Sequence, residues 1–195
     1  TLFRSYTRVP GQDVVRFSGR SAEANAERSL TEKEEREENR ITERFHNVID
    51  EMFDNESFDK QPHLREHYNL GYTPSWMQDI GIIGEYFTLS FKNIRTHIGK
   101  DKEHKLTREE WHQLPAALNK PFAITRYTNN PNGFRLYVNI MHEGKFIAVG
   151  VDVKKVNQGK GKPMLEVNSI KTVFAHRGAI GGVTEKLITY DKNIT

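Results

Sequence analysis

Apolar positions are sparse up to residue 69 and dense from residue 76 to residue 190. Within the sparse region a single stripe stands out. Ile41, Phe45, Val48, Ile49, Met52 and Phe53 recur at helical spacings, so one face of a helix is apolar. Thr31 and Glu34 have the spacing of a capping box, which predicts a helix over residues 31–53. Its first half, Glu32 to Arg40, is almost entirely charged and belongs in solvent. The stripe is expected to dock on the chain's own core; a partner-binding helix is the other reading.

The dense region changes period as it goes. Leu70 to Pro74 reads as a turn and helix start, with Thr73 as cap and Pro74 at the first helical position. Phe87 to Leu89 reads as a short extended piece, and Ser90 as the cap of a helix through Phe91, Ile94 and Ile98. Thr107 and Glu110 form a second capping box, opening a helix with Trp111, Leu114 and Leu118 on one face. Pro115 is expected to shorten or kink it. From Phe122 onwards the period becomes two. Phe134, Leu136, Val138 and Ile140 alternate with Arg135, Tyr137 and Asn139, and Ile147, Val149, Val151 and Val153 share a face of the next run. Glu143-Gly144 is a tight hairpin signal between them. Strands over 122–127, 134–142, 145–154, 165–175 and 186–190, joined by short connections, predict an antiparallel meander. The expected fold is therefore α+β, with N-terminal helices packed on a mostly antiparallel sheet of four to five strands. Residues 1–69 are expected to form a linker and the charged amphipathic helix, and residues 70–195 the domain.

Composition modifies this in three ways. The chain of 195 residues is 36% hydrophobic and 28% charged, lean for a single compact body, which supports a domain of about 120 residues behind a polar arm. There is no cysteine, so disulfides, thiolate metal sites and cysteine nucleophiles are excluded. No apolar run approaches the ~18 residues that would span a bilayer, and no secretory signal is visible; a cytoplasmic protein without membrane partners is expected. The first residues, Thr1-Leu2, suggest a piece of a longer polypeptide.

The net charge of +3 hides a segregation. Acidic residues crowd into 32–66, whereas the strand region carries Arg126, Arg135, Lys145, Lys154, Lys155, Lys160, Lys162, Lys171 and Arg177. A basic face on a small sheet suits an anionic partner; a solvated surface with lysines on strand edges is the plainer reading. If the acidic helix occupied a basic groove, removing residues 1–69 would raise activity. The arginines of residues 1–29 fit a linker or an RNA-touching arm. His63 and His67, four apart, would share a helix face, but no third ligand lies near and the zincin pattern is missing, so no metal is expected.

One stretch carries a resemblance: His104-Lys-Leu106, Trp111-His-Gln-Leu114-Pro115-Ala-Ala-Leu118-Asn-Lys-Pro121, two hairpin strands, then Glu166-Val-Asn168-Ser169-Ile-Lys-Thr172-Val-Phe, with Gly71-Tyr-Thr73-Pro74 and Phe87-Thr-Leu-Ser90 upstream. Over residues 70–192 this resembles the C-terminal domain of phage MuF-type proteins. It is also similar to the phage and mobile-element domains grouped with barnase, EndoU, colicin E5/D and RelE nucleases. The resemblance implies a barnase/EndoU/RelE-like fold and a ribonuclease that needs no metal or other cofactor. It further implies a toxin or effector role within a larger phage or conjugative-element protein, acting in the cytoplasm or delivered into a target cell. RNA (tRNA included) and an immunity protein are the partners it implies, with the domain a monomer or a segment of the larger polypeptide. It carries His104, Thr172 and His176 over as catalytic positions.

The chemistry asks for the same residue types. Cleavage through the 2′-hydroxyl needs a base, an acid and donors for a charged phosphorane; histidine suits the first two, and Lys, Arg and Thr the third. The candidates are His97, His104, Thr172 and His176 as catalytic residues, and Arg126, Arg135 and Lys171 for substrate binding. In a regular strand Thr172 and His176 share a face with Phe174, and Lys171 points away unless a bulge turns it. His112 and His142 read as exposed and stand outside the site. A non-catalytic module that binds nucleic acid or protein is the main alternative. An ADP-ribosyltransferase using Arg126, Ser169 and Glu185 is a weaker one, since Glu185 is not part of a Glu-x-Glu signature.

Overall fold

A computed structural model describes residues 32–55, 67–98, 106–157, 163–176 and 185–190. The elements are α1 (Glu32–Asp54), β1 (His67–Tyr72), α2 (Ser75–Asp79), β2 (Tyr86–Ser90), α3 (Phe91–Ile98), α4 (Arg108–Leu118), β3 (Ala123–Tyr127), β4 (Gly133–His142), β5 (Lys145–Asn157), β6 (Met164–Ala175) and β7 (Glu185–Tyr190). They form an α+β fold around one seven-stranded mixed sheet of order β1-β2-β6-β5-β4-β3-β7.

The centre of the sheet is the expected meander. β3, β4, β5 and β6 pair antiparallel in sequence order. The β4–β5 turn is Glu143-Gly144, both with positive φ (48° and 75°), as a two-residue hairpin turn requires. The sheet is nevertheless larger than the four to five strands expected. β7 pairs with β3 at one edge. At the other, β1 pairs antiparallel with β2, and β2 runs parallel to β6. The sequence places a turn and helix start at Leu70 to Pro74, and Asn69 and Gly71 are indeed poor strand formers. Pairing to β2, with Tyr68 and Leu70 buried, overrides that preference. His67 consequently opens a strand rather than sharing a helix face with His63, which lies outside the described residues.

All four described helices place buried residues on one side of the sheet. Phe45 and Ile49 of α1, Met77 of α2, Phe91 and Ile94 of α3, and Trp111, Leu114 and Leu118 of α4 join Phe134, Leu136, Val138, Val149, Ile170 and Val173 in one core. α1 is thus docked, as its stripe predicts, and its acidic first half belongs to the helix side of the sheet. Two caps hold as read. Thr107 and Glu110 form a reciprocal capping box, and Ser90 Oγ accepts from the Asn93 amide at 3.2 Å. Pro115 does not shorten α4, which continues to Leu118. The buried Trp111, Leu114 and Leu118 outweigh the roughly 3 kcal/mol that an interior proline costs.

Two buried polar nodes tie the layers together. His142 is buried, contrary to the exposed position expected; its Nδ1 lies 2.9 Å and 3.0 Å from the two Glu110 carboxylate oxygens. Glu110 Oε2 also accepts the Thr107 amide at 2.7 Å, so one side chain caps α4 and anchors it to β4. Asn168, fully buried, donates to Thr73 Oγ1 (2.6 Å) and the Gly84 carbonyl (3.0 Å), and its own carbonyl accepts the Gly84 amide (3.0 Å). Gly84 is held so close that a Cβ would sit 2.3 Å from the Asn168 backbone nitrogen.

His112 is likewise half-buried rather than exposed. Its ring stacks on His46 (4.3 Å, 15°), and its Nε2 lies 3.0 Å from Asp50 Oδ1. Arg108 pairs with Asp54 beside them, over the Phe53 ring.

Asn168→Ala should destabilise the protein by about 2–4 kcal/mol, since it strands buried partners on Thr73 and Gly84; urea denaturation measures this. Removal of residues 1–69 also takes away Phe45 and Ile49 and the first residues of β1. With truncation of each such core residue costing about 2–5 kcal/mol against a total of about 5–15, the shortened chain should lose its native near-UV circular dichroism.

Candidate functional site

A pleated strand sends alternate side chains to opposite faces. With Leu136, Val149 and Val173 turned to the helices, the other row of the meander faces away from them. Thr125 pairs with Arg135, Arg135 with Gly150, and Gly150 with Thr172, so the four form one row across β3, β4, β5 and β6. The next row holds Ala123, Tyr137, Ala148 and Phe174. A small second core of Phe122, Ala123, Tyr137 and Ala148, flanked by Phe146, Phe174 and Leu187, stiffens this far face.

Arg135 is held in the middle of it. Its guanidinium lies 5.3 Å from the Tyr127 ring centroid and 5.2 Å from that of Phe174, between two aromatic faces that attract a cation and fix its direction. Gly150, its neighbour across β5, leaves a hollow. A Cβ there would meet Thr172 Oγ1 at 2.4 Å and the Tyr127 hydroxyl at 3.4 Å, so both hydroxyls lean over the space a side chain would fill. Two hydroxyls therefore meet over Gly150, and the arginine paired with Gly150 packs on the ring of the same Tyr127; guanidinium and hydroxyl groups are donors suited to an oxyanion such as phosphate. Further along β6, His176 meets the Tyr137 ring edge-on (5.0 Å, 83°).

Lys171 joins the same face through a bulge. Gly150 pairs with Thr172 but Val151 pairs with Ile170, so Lys171 is the extra residue of β6. It comes against Lys154 and Asp152, which alternate with the core-facing Val151 and Val153. Burial, and then the adjacent Lys154, hold the Lys171 ammonium below the ordinary lysine range, with Asp152 opposing.

Of the seven residues singled out in the sequence, Arg135, Lys171, Thr172 and His176 share this face. His97 and Arg126 do not. His97 is on the last turn of α3, whose Phe91 and Ile94 pack in the helix-side core. Arg126 alternates to the helix side, where its guanidinium lies 4.8 Å from the Phe134 ring and donates to the Ile80 carbonyl at 2.6 Å. It holds the α2 turn in place. His104 lies outside the described residues. Arg126 and Ser169 belong to opposite faces, which separates two of the residues that an ADP-ribosyltransferase site would need together. Tyr127 and Gly150 were missed. The alternation of β3 and β5 puts both on this face, but nothing local indicates that the Tyr127 hydroxyl reaches from β3 to β5. Among the described residues no group of three or more His, Asp and Glu side chains is placed to hold a metal ion, and no helix is long and apolar enough to cross a membrane.

The effect of Lys171 on stability has a definite sign. Its folded pKa is below the unfolded value, so its charge is a penalty that is complete below the folded pKa and is relieved as pH rises through that value. Lys171→Met should therefore be more stable than wild type at pH 7, by about 0.5 kcal/mol or less given its exposure. The difference should shrink by pH 10; urea midpoints at the two pH values check it.

Comparison with known proteins bears on the half of the chain that builds this face. Residues 95–193 match the family described as the phage MuF-C-terminal domain. No curated protein and no solved structure matches the chain significantly.

Proposed function

The chain belongs to the phage MuF C-terminal domain family, and from that premise we propose that the far face of its sheet binds RNA and cleaves it without a metal. The observation that carries this reading is the meeting of the Thr172 and Tyr127 hydroxyls over Gly150, beside an Arg135 that packs on the Tyr127 ring. Cleavage through the 2′-hydroxyl gathers negative charge on the phosphorus oxygens, and fixed donors already aimed at that position are the strongest contribution a protein makes. Arg135 supplies a planar fork that stays charged at every working pH. The Thr172 and Tyr127 hydroxyls add neutral donors. His176 brings to this face the residue type that exchanges protons most readily at neutral pH, and it takes the role of proton carrier for the 2′-oxygen. Lys171 adds positive charge beside Thr172. The barnase/EndoU/RelE-like grouping belongs to the same proposal, supported by a helix leading into a four-stranded antiparallel meander. So does a toxin or effector role in a larger phage protein.

The second reading, a module that binds RNA without cutting it, is favoured by one observation. His97 belongs to the helix side, so of the candidate histidines among the described residues only His176 serves the face.

The test is cleavage of total RNA and tRNA in EDTA. Wild type should cut. Arg135→Gln should cut about 10²–10³-fold more slowly, and His176→Ala about 10²-fold or more. Gly150→Ala should keep near wild-type stability, because the Thr172 hydroxyl can rotate away, yet lose most activity for that reason. RNA binding that weakens with salt, without cleavage, would establish the second reading instead. Cleavage indifferent to all three substitutions would reject this face as the site.

A further inference from the structure

On the reading of the far face as an RNA site, we infer that Lys154 and Lys171 form a second phosphate subsite, so that the ligand is a strand with at least two consecutive phosphodiesters rather than a single nucleotide.

The placement comes from the bulge in β6. Without it Lys171 would point to the helices; with it, Lys171 follows Thr172 onto the far face and comes against Lys154. Two ammonium groups side by side repel, and burial of one of them adds to the cost. Asp152 offsets only a fraction of this, since its carboxylate is shared with Asn130, whose amide donates to it at 3.1 Å. Lys154 is exposed, with no carboxylate partner among the ion pairs of the described residues, while its neighbour Lys155 lies 3.6 Å from Glu166. An anion between Lys154 and Lys171 relieves the repulsion, and binding would return Lys171 towards its ordinary range.

The spacing fits a nucleic-acid strand. Asp152, beside the lysine pair, is two residues along β5 from Gly150, where the Thr172 and Tyr127 hydroxyls meet next to Arg135. At about 3.3 Å per residue the two positions lie ~7 Å apart, comparable to successive phosphates on an extended strand. The first subsite, with a fixed guanidinium and two hydroxyls, is the stronger. The second recognises charge alone and extends the footprint along β5 and β6.

Binding of non-cleavable 2′-O-methyl uridine oligomers to the full chain tests this, with a dinucleotide carrying one phosphodiester and a trinucleotide carrying two. Wild type should prefer the trinucleotide. Lys154→Gln should weaken trinucleotide binding about tenfold and leave the dinucleotide nearly unchanged, while Lys171→Met, next to Thr172, should weaken the trinucleotide about tenfold and the dinucleotide less. Each should also reduce the trinucleotide's salt dependence by about 0.7 in log–log slope. Arg135→Gln should weaken both ligands. If the lysine variants bind both oligomers as wild type does while Arg135→Gln weakens both, the second subsite is overturned and the RNA reading stands. If Arg135→Gln changes neither, the RNA reading fails and the subsite with it. Lys154 is exposed, so Lys154→Gln keeps the test valid whatever Lys171→Met does to stability.

Discussion

A β-strand has two rows of side chains and can turn only one of them to a given layer of helices. That constraint organises this protein. Phe134, Leu136, Val138, Val149 and Val173 go to the helix side, where Trp111 and Phe45 complete the core. Arg135, Tyr137, Gly150, Thr172 and His176 are then left on the other side together. Hydrophobic burial of the first row selects the register, because a slip of one residue would put Arg135 and Thr172 into the core. The chemistry of the far face is in this sense a by-product of packing the near one.

The polar nodes hold the elements that feed into the sheet. Glu110 closes the capping box of α4 and meets the buried His142 of β4, so the start of a helix and the end of a strand share one carboxylate. Asn168 does the corresponding work for the segment between β1 and β2, bonding to Thr73 and to both backbone groups of Gly84. Neither node touches the far face. Each fixes a layer on which the far face rests, and each is costly to break because its partners are buried.

The far face itself depends on two departures from regular sheet. Gly150 removes one side chain, so that hydroxyls from β3 and β6 can lean over β5. The bulge at Lys171 adds one residue, so that a lysine and a threonine adjacent in sequence both leave on the same side. Arg135, gripped by Tyr127 and Phe174, is the fixed point between these departures. Membership of the phage MuF C-terminal family covers this half of the chain, and the proposed RNA chemistry uses its residues alone.

The sequence by itself determined whatever depends on near neighbours. The Thr107–Glu110 box, the stripe of α1, the Glu143-Gly144 turn and the alternation of β4 and β5 are local, and each was legible. So was the sharing of a face by Thr172 and His176. Tertiary structure decided the rest. β1 is a strand because it finds a partner in β2, although Asn69 and Gly71 argue against it locally. Arg126 and Arg135 look alike in sequence, yet register sends one to the Ile80 carbonyl and the other to the Tyr127–Phe174 grip. His142 reads as a polar strand end and is buried because Glu110 from a distant helix meets it. The Tyr127 hydroxyl reaches from β3 to Gly150 of β5, and the bulge that turns Lys171 exists only as a mismatch between β5 and β6. These contacts join residues far apart in the chain, and no local pattern records which strand will lie beside which.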